Sequence, residues 1–182
     1  MGNSRLQTAV AWATELHFGQ FRDGVEPVPY ICHPLEVLTC LRYVGQVTDV
    51  TMLCTAVLHD VIEETGATEA DVAQKVGGDV AKLVAELTRV EPSPEETAGM
   101  TKDQVWELRA GLLLEEIAGM SPQAMVVKMC DRISNLREAR YAKSPKKFER
   151  YLRQSEKILK VIPRRHNPRL WDTLKGEVAR GR

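Results

Sequence analysis

Apolar residues recur at helical spacing along almost the whole chain, as in Leu6, Val10, Ala13 and Leu16 and again in Leu35, Leu38 and Leu41, while strand-like alternation is scarce. The pattern predicts an all-α fold. Thr48 and Asp49 can cap a helix whose interior runs through Met52, Leu53, Ala56 and Val57 and continues to Glu64, with Gly66 ending it. Thr68 opens a short helix to about Val76, Gly77-Gly78 breaks it, and Val80, Leu83, Val84 and Leu87 mark the next. Two prolines in Glu91-Pro92-Ser93-Pro94-Glu95 predict an exposed loop over about 89–101, ahead of a helix around Gln104–Ala118. Helices over Gln123–Arg140, from Pro145 to about Val161, and after Pro168 complete the chain, without internal repeat or low-complexity tract.

A length of 182 residues with 43% hydrophobic content fits one globular domain over 1–182, able to bury enough surface to need neither disulfides nor a structural metal. Cys32, Cys40, Cys54 and Cys130 form no CxxC pair and read as reduced, mostly buried thiols of a cytoplasmic protein. The longest apolar stretch, Met52–Leu58, is interrupted by Thr55 and falls short of a membrane span. The first residues carry no secretory h-region, and Leu6 stands where a myristoylation motif takes Ser or Thr. With 25 basic residues against 25 acidic ones the net charge is zero, which argues against nucleic acid as the main partner.

Neutrality hides a local asymmetry. Between Val57 and Asp79 six acids face one base, Lys75, whereas between Lys128 and Arg150 eight bases face three acids. If folding brings these segments together, carboxylates able to hold a cation meet side chains able to hold a polyanion, as hydrolysis of a phosphate ester requires. His59 and Asp60 are neighbours near the end of an apolar helix, where an unpaired charge is expensive, so they need a partner. Adjacent helical side chains about 100° apart can grip one ion from two sides. Glu63 and Glu64 follow four residues after His59 and Asp60 and project one turn further along. His33 and Asp131 are the candidates for the remaining ligands, and two imidazoles with two carboxylates suit Mn²⁺, Fe²⁺ or Zn²⁺. On the helix of Asp131, Asn135 and Glu138 share its face and Arg132 and Arg137 flank it.

Four blocks occur in order: Gly19-Gln20-Phe21-Arg22, Pro29-Tyr30-Ile31-Cys32-His33-Pro34, Leu58-His59-Asp60-Val61-Ile62-Glu63-Glu64-Thr65 and Asp131-Arg132-Ile133-Ser134-Asn135-Leu136-Arg137. Over roughly Thr8 to Ile162 the chain thereby resembles the HD-domain superfamily, and within it the hydrolase domain of RelA/SpoT-type alarmone enzymes and their small stand-alone relatives. The resemblance implies an HD helical bundle with one Mn²⁺ held by His33, His59, Asp60 and Asp131. It implies removal of the 3′-diphosphate from guanosine tetra- or pentaphosphate as pyrophosphate. It makes Glu63 and Glu64 the catalytic acidic pair, with Glu63 as the favoured proton carrier. Arg22, Asn135, Lys147 and Tyr151 become substrate contacts, Lys147 and Tyr151 on the phosphate and ribose side. The chain departs from the family at Glu64, where aspartate is usual, at Asp23, where a basic residue often follows the arginine, and at Glu138, usually small and polar. The last two add negative charge near a polyanion, and the segment Val25-Glu26-Pro27-Val28 is also particular to this chain. Other readings are an HD phosphohydrolase acting on another nucleotide and a non-catalytic helical binding module. No synthetase-like second domain fits in the remaining residues, and a homo-oligomer is open.

Overall fold

The structure is a computed structural model that describes residues 4–23 and 26–182. Val25 and the residues before Ser4 therefore lie outside the described residues. The elements run α1 (Arg5–Leu16), α2 (Cys32–Thr39), a π-helical turn (Cys40–Val44), α3 (Val50–Leu58), α4 (Val61–Glu64), α5 (Glu69–Val76), α6 (Gly78–Leu87), α7 (Lys102–Gly119), α8 (Pro122–Ala142), α9 (Pro145–Val161), a 3₁₀ turn (Arg164–His166) and α10 (Pro168–Arg180). The only extended pairing among the described residues is a single bridge between Phe21 and Pro29.

Helix starts follow local chemistry. Ser4, Thr68 and Thr101 each form a capping box, Asp49 and Ser121 accept from the third residue beyond them, and Pro122, Pro145 and Pro168 occupy first-turn positions. Residues 89–101 carry no helix and are mostly exposed. The core has two parts. One lies around α8, whose Val127, Met129, Ile133 and Leu136 pack with residues of α2, α9 and α10. The other joins α1, α3, α5 and α6 through Ala13, Val57, Val72 and Val80, and Leu6 and Leu38 pack against both. Helix α8 is buried on nearly all sides, so its polar residues Lys128, Asp131, Arg132 and Ser134 sit inside the protein. Each must be partnered there.

The helix expected to run unbroken from Asp49 to Glu64 is interrupted at His59-Asp60. His59 Nδ1 lies 2.9 Å from the carbonyl oxygen of Ala56, the acceptor that the Asp60 amide would use in a continuous helix. Asp60 takes φ −100° and ψ −6°, and α4 restarts at Val61. The side chains of His59 and Asp60 are thus presented from a turn rather than from a regular helical face. Three of the four cysteines, Cys40, Cys54 and Cys130, are buried and Cys32 is exposed. No described helix is long and apolar enough to cross a membrane.

Candidate active site

The segments that carry His33, His59-Asp60 and Asp131 meet at the inner end of a cavity of about 590 Å³. His33 comes from the first turn of α2, the pair from the turn between α3 and α4, and Asp131 from the middle of α8. His33 Nε2 lies 3.4 Å from Asp60 Oδ2 and 3.3 Å from Asp131 Oδ1, and His59 Nε2 lies 3.0 Å from Asp60 Oδ1 and 3.8 Å from Asp131 Oδ1. His33, His59 and Asp60 each offer one ligand atom within 4.8 Å of the others. Donors bound to one ion at about 2.1 Å are separated by roughly 3.0–3.4 Å, so three of these four spacings suit a shared cation. The buried His59 Nε2 has no hydrogen-bond partner, which is the state of a nitrogen reserved for a metal. The donor set therefore fits a divalent ion.

Both imidazoles are oriented from behind. His59 Nδ1 is tied to the Ala56 carbonyl, and His33 Nδ1 lies 2.9 Å from Ser134 Oγ, whose hydroxyl donates to Glu36 Oε2 at 2.7 Å. With Nδ1 protonated in each ring, the Nε2 lone pairs turn toward the carboxylates. Burial opposes the ionisation of Asp60 and Asp131, yet His59 beside Asp60 and Lys128 beside Asp131 outweigh it and hold both well below the usual carboxylate range. Burial likewise pulls the His59 imidazolium down, and the two aspartates overcome it, raising the group to about 10. The cluster thus demands positive charge between its carboxylates, which a divalent cation supplies without protonating the rings. Tyr30 reinforces the set by donating its hydroxyl to Asp60 Oδ2 at 2.8 Å, and its ring stacks on His17 at 4.7 Å.

Around this centre the cavity wall has two distinct ends. Along α8 beyond Asp131, Asn135 donates to Asp131, and Arg22 reaches in to Asn135 Oδ1 at 3.0 Å and to Glu138, with its guanidinium 5.2 Å from the centre of the Tyr30 ring. Gln20, on the same loop as Arg22, donates to the Glu64 carbonyl at 2.6 Å and pins that loop to α4. At the other end, one turn before Asp131, Lys128 lies 3.0 Å from Asp131 Oδ2. Glu63 accepts from the Arg89 amide there, and burial raises its carboxyl above the ordinary glutamate value despite the nearby Lys128 and Arg89. Glu64, Lys147 and Tyr151 also line the cavity.

The residues singled out from the sequence as site residues therefore line one cavity, with His59 placed at its floor by its nearness to Asp60 and Asp131. Arg137 does not: it pairs with Glu177 at 2.9 Å and with Glu36 at 3.4 Å, on the far side of α8. The charges expected to repel a polyanion are already compensated, since Asp23 pairs with Lys143 at 2.6 Å and Glu138 with Arg22. Nothing in the sequence pointed to Arg89, Trp106 or Arg109, which also line the cavity, whereas Lys128 and Arg150 had entered only as members of the basic segment. The i, i+3 spacing of Lys128 to Asp131 is the local trace of its place in the site.

An all-helical bundle with a His, His-Asp and Asp cluster at the floor of a cation-walled cavity defines a class. Residues 9–165 match the family model described as HD domain, and the chain belongs to the HD-domain family. Within it, the chain is 30% identical over 158 residues to the guanosine-3′,5′-bis(diphosphate) 3′-pyrophosphohydrolase MESH1 of Xenopus tropicalis, covering 85% of this chain and 82% of that protein. It is 33% identical over 135 residues to human MESH1, covering 74% and 69%. It is similar in structure to a metazoan SpoT orthologue described as hydrolysing ppGpp, with a TM-score of 0.84 and 26% identity, covering 99% of this chain and 97% of the other.

Proposed function

We propose that the protein, treated as one hydrolase domain over 1–182, hydrolyses the 3′-diphosphate of guanosine tetra- and pentaphosphate, giving pyrophosphate and GDP or GTP. The observation that carries this reading is the convergence of His33, His59, Asp60 and Asp131 beneath a cavity that also holds Glu63 and a wall of cations. The relatives named for this same activity support it. His33, His59, Asp60 and Asp131 would hold one Mn²⁺, a choice that suits a mixed imidazole and carboxylate set. A divalent ion there supplies Lewis acidity and a water acidified toward neutrality.

The chain's own residues do the rest. Lys128 and Tyr30 fix the two aspartates, and Arg22 and Asn135 meet the nucleoside side of the substrate. Lys147 and Tyr151, at i and i+4 on α9, share a face and reach phosphate and ribose. Glu63 takes a proton from the attacking water and returns one toward the departing ribose 3′-oxygen, a poor leaving group. Glu64 supports it. In this reading the protein acts in the cytoplasm, in the stringent response, on a small nucleotide, with neither nucleic acid nor membrane as partner.

The deciding experiment incubates the pure protein with labelled guanosine tetraphosphate over a panel of divalent metals and pH values. Pyrophosphate release that depends on the metal, is abolished by Asp131→Ala and falls by at least about a hundredfold in Glu63→Gln is expected. The acid limb of kcat/KM should lie above the ordinary glutamate range, because Glu63 must be ionised to accept a proton and burial raises its pKa. Turnover of a different nucleotide in preference would shift the reading to another HD phosphohydrolase. Silence on a phosphoester panel would leave a binding module.

A further inference from the structure

The cations lining the cavity are not equivalent. Arg22, Lys128, Lys143 and Arg150 each have a carboxylate partner, on Glu138, Asp131, Asp23 and Asp103 respectively. Arg132 has none among the described residues. Only 7% exposed, it donates Nε to Ser155 Oγ and Nη2 to the Tyr151 carbonyl, both at 2.7 Å, with its guanidinium 4.8 Å from the centre of the Tyr151 ring. Neutral acceptors and an aromatic face orient this buried guanidinium, and the neighbouring Asp131 acts on it only at a distance while ion-paired with Lys128, so no carboxylate forms an ion pair with Arg132 among the described residues. Arg89, on the loop after α6, lines the same cavity within electrostatic reach of Arg132, so the two positive charges oppose each other. The Arg89 guanidinium has one ion-pair partner among the described residues, the exposed Glu91 at 3.6 Å, and Glu63, which accepts from its backbone amide, acts on it electrostatically.

Two guanidiniums converging on one wall, one of them buried and unpaired, form a receptor for a dianion. The Arg89 backbone amide holds Glu63, which places this pair at the Glu63 end of the cavity, away from Arg22, Asn135 and Glu138. We propose that Arg89 and Arg132 receive the outer phosphate of a nucleoside 3′-diphosphate, so that the enzyme selects a diphosphate over a monophosphate at that position. This assignment rests on the activity proposed above and deepens it. In the reaction, the water oxygen bonds to the inner phosphorus and the bond from that phosphorus to the ribose 3′-oxygen breaks. The electron pair goes to the ribose oxygen, which takes up a proton, and pyrophosphate leaves intact with its outer phosphate between the two arginines. No oxidant or reductant is required.

The test compares the wild-type chain with Arg89→Met, whose side chain lies at the cavity surface, and with Arg132→Lys, which keeps a charge in the buried position. Inorganic pyrophosphate is titrated calorimetrically into chelator-treated protein, and kcat/KM is measured on guanosine 5′-diphosphate 3′-diphosphate and on its 3′-monophosphate counterpart. Loss of one charge-assisted contact should weaken pyrophosphate binding about tenfold or more and lower the diphosphate-to-monophosphate ratio by a similar factor. Pyrophosphate affinity unmoved by Arg89→Met overturns the proposal, and so does an equal loss on both substrates. If Arg132→Lys does not fold, Arg89→Met decides alone. Because the titration involves neither metal nor turnover, its result stands apart from whether guanosine tetraphosphate is the substrate.

Discussion

At the scale of single residues, the site is organised by what stands behind the ligating atoms. His59 is fixed by a backbone carbonyl three residues earlier, whereas His33 depends on Ser134 and, through it, on Glu36, whose carboxylate reaches a second cavity of about 480 Å³ beside the first. Outer partners of this kind set both the tautomer and the basicity of a ligating imidazole, and losing one typically costs about 10–100-fold in metal affinity. Ser134→Ala and Glu36→Gln should each weaken metal retention by that order, measured by competition with a chromophoric chelator, and should leave the helical circular dichroism unchanged. Equal metal affinity in both variants would show that His33 is oriented by packing alone. The Glu36-Ser134 pair was not visible in advance, because a serine and a glutamate far apart in sequence announce nothing until α2 crosses α8.

Elements position these residues through their ends more than through their faces. The turn between α3 and α4 replaces the helix that the apolar spacing predicted, and it arises because a histidine side chain competes for a main-chain acceptor. Hydrophobic periodicity cannot report such a competition, since Val57, Leu58 and Val61 are buried whether or not the ladder is continuous. The loop that brings in Arg22 is built in the same local way. It leaves α1 through Gly19 at φ +80°, a conformation that costs a residue with a Cβ roughly 1–2 kcal/mol. Gly19→Ala should lower the melting temperature by about 2–8 °C and raise KM more than it lowers kcat, because the strain falls on the segment that carries Gln20 and Arg22. Differential scanning calorimetry with steady-state kinetics checks both. The caps at Ser4, Asp49, Thr68, Thr101 and Ser121, by contrast, obey sequence-local rules. Of these, Asp49 and Thr68 were read from the sequence as helix starts, and Ser4, Thr101 and Ser121 were not.

For the whole molecule, the cluster of His33, His59, Asp60 and Asp131 joins the two parts of the core. His59 and Asp60 follow α3, which packs with α1 and α6, while Asp131 lies on α8 and His33 on α2. A ligand that bridges these elements binds the folded state alone, so it adds about 2.7 kcal/mol when present at a hundred times its dissociation constant. Chelation should accordingly lower the melting temperature by about 5–10 °C, and Mn²⁺ should restore it. A melting curve indifferent to chelator would argue against a metal shared by the four residues.

The chain alone determined its helical class, most element boundaries and the residue types of the site. These depend on periodicity, capping and local donor chemistry, all of which act within a few residues. It also held the charge asymmetry between the His59 and Asp131 segments, without saying whether they would face each other. Tertiary structure decided that they do, that Asp23 and Glu138 are neutralised by Lys143 and Arg22, and that Arg137 turns away to Glu177. It alone brought Arg89 to Arg132. The reason is physical: an ion pair or an uncompensated charge belongs to a position in space, and α8, surrounded by the other helices, sets those positions only after the core has closed around it.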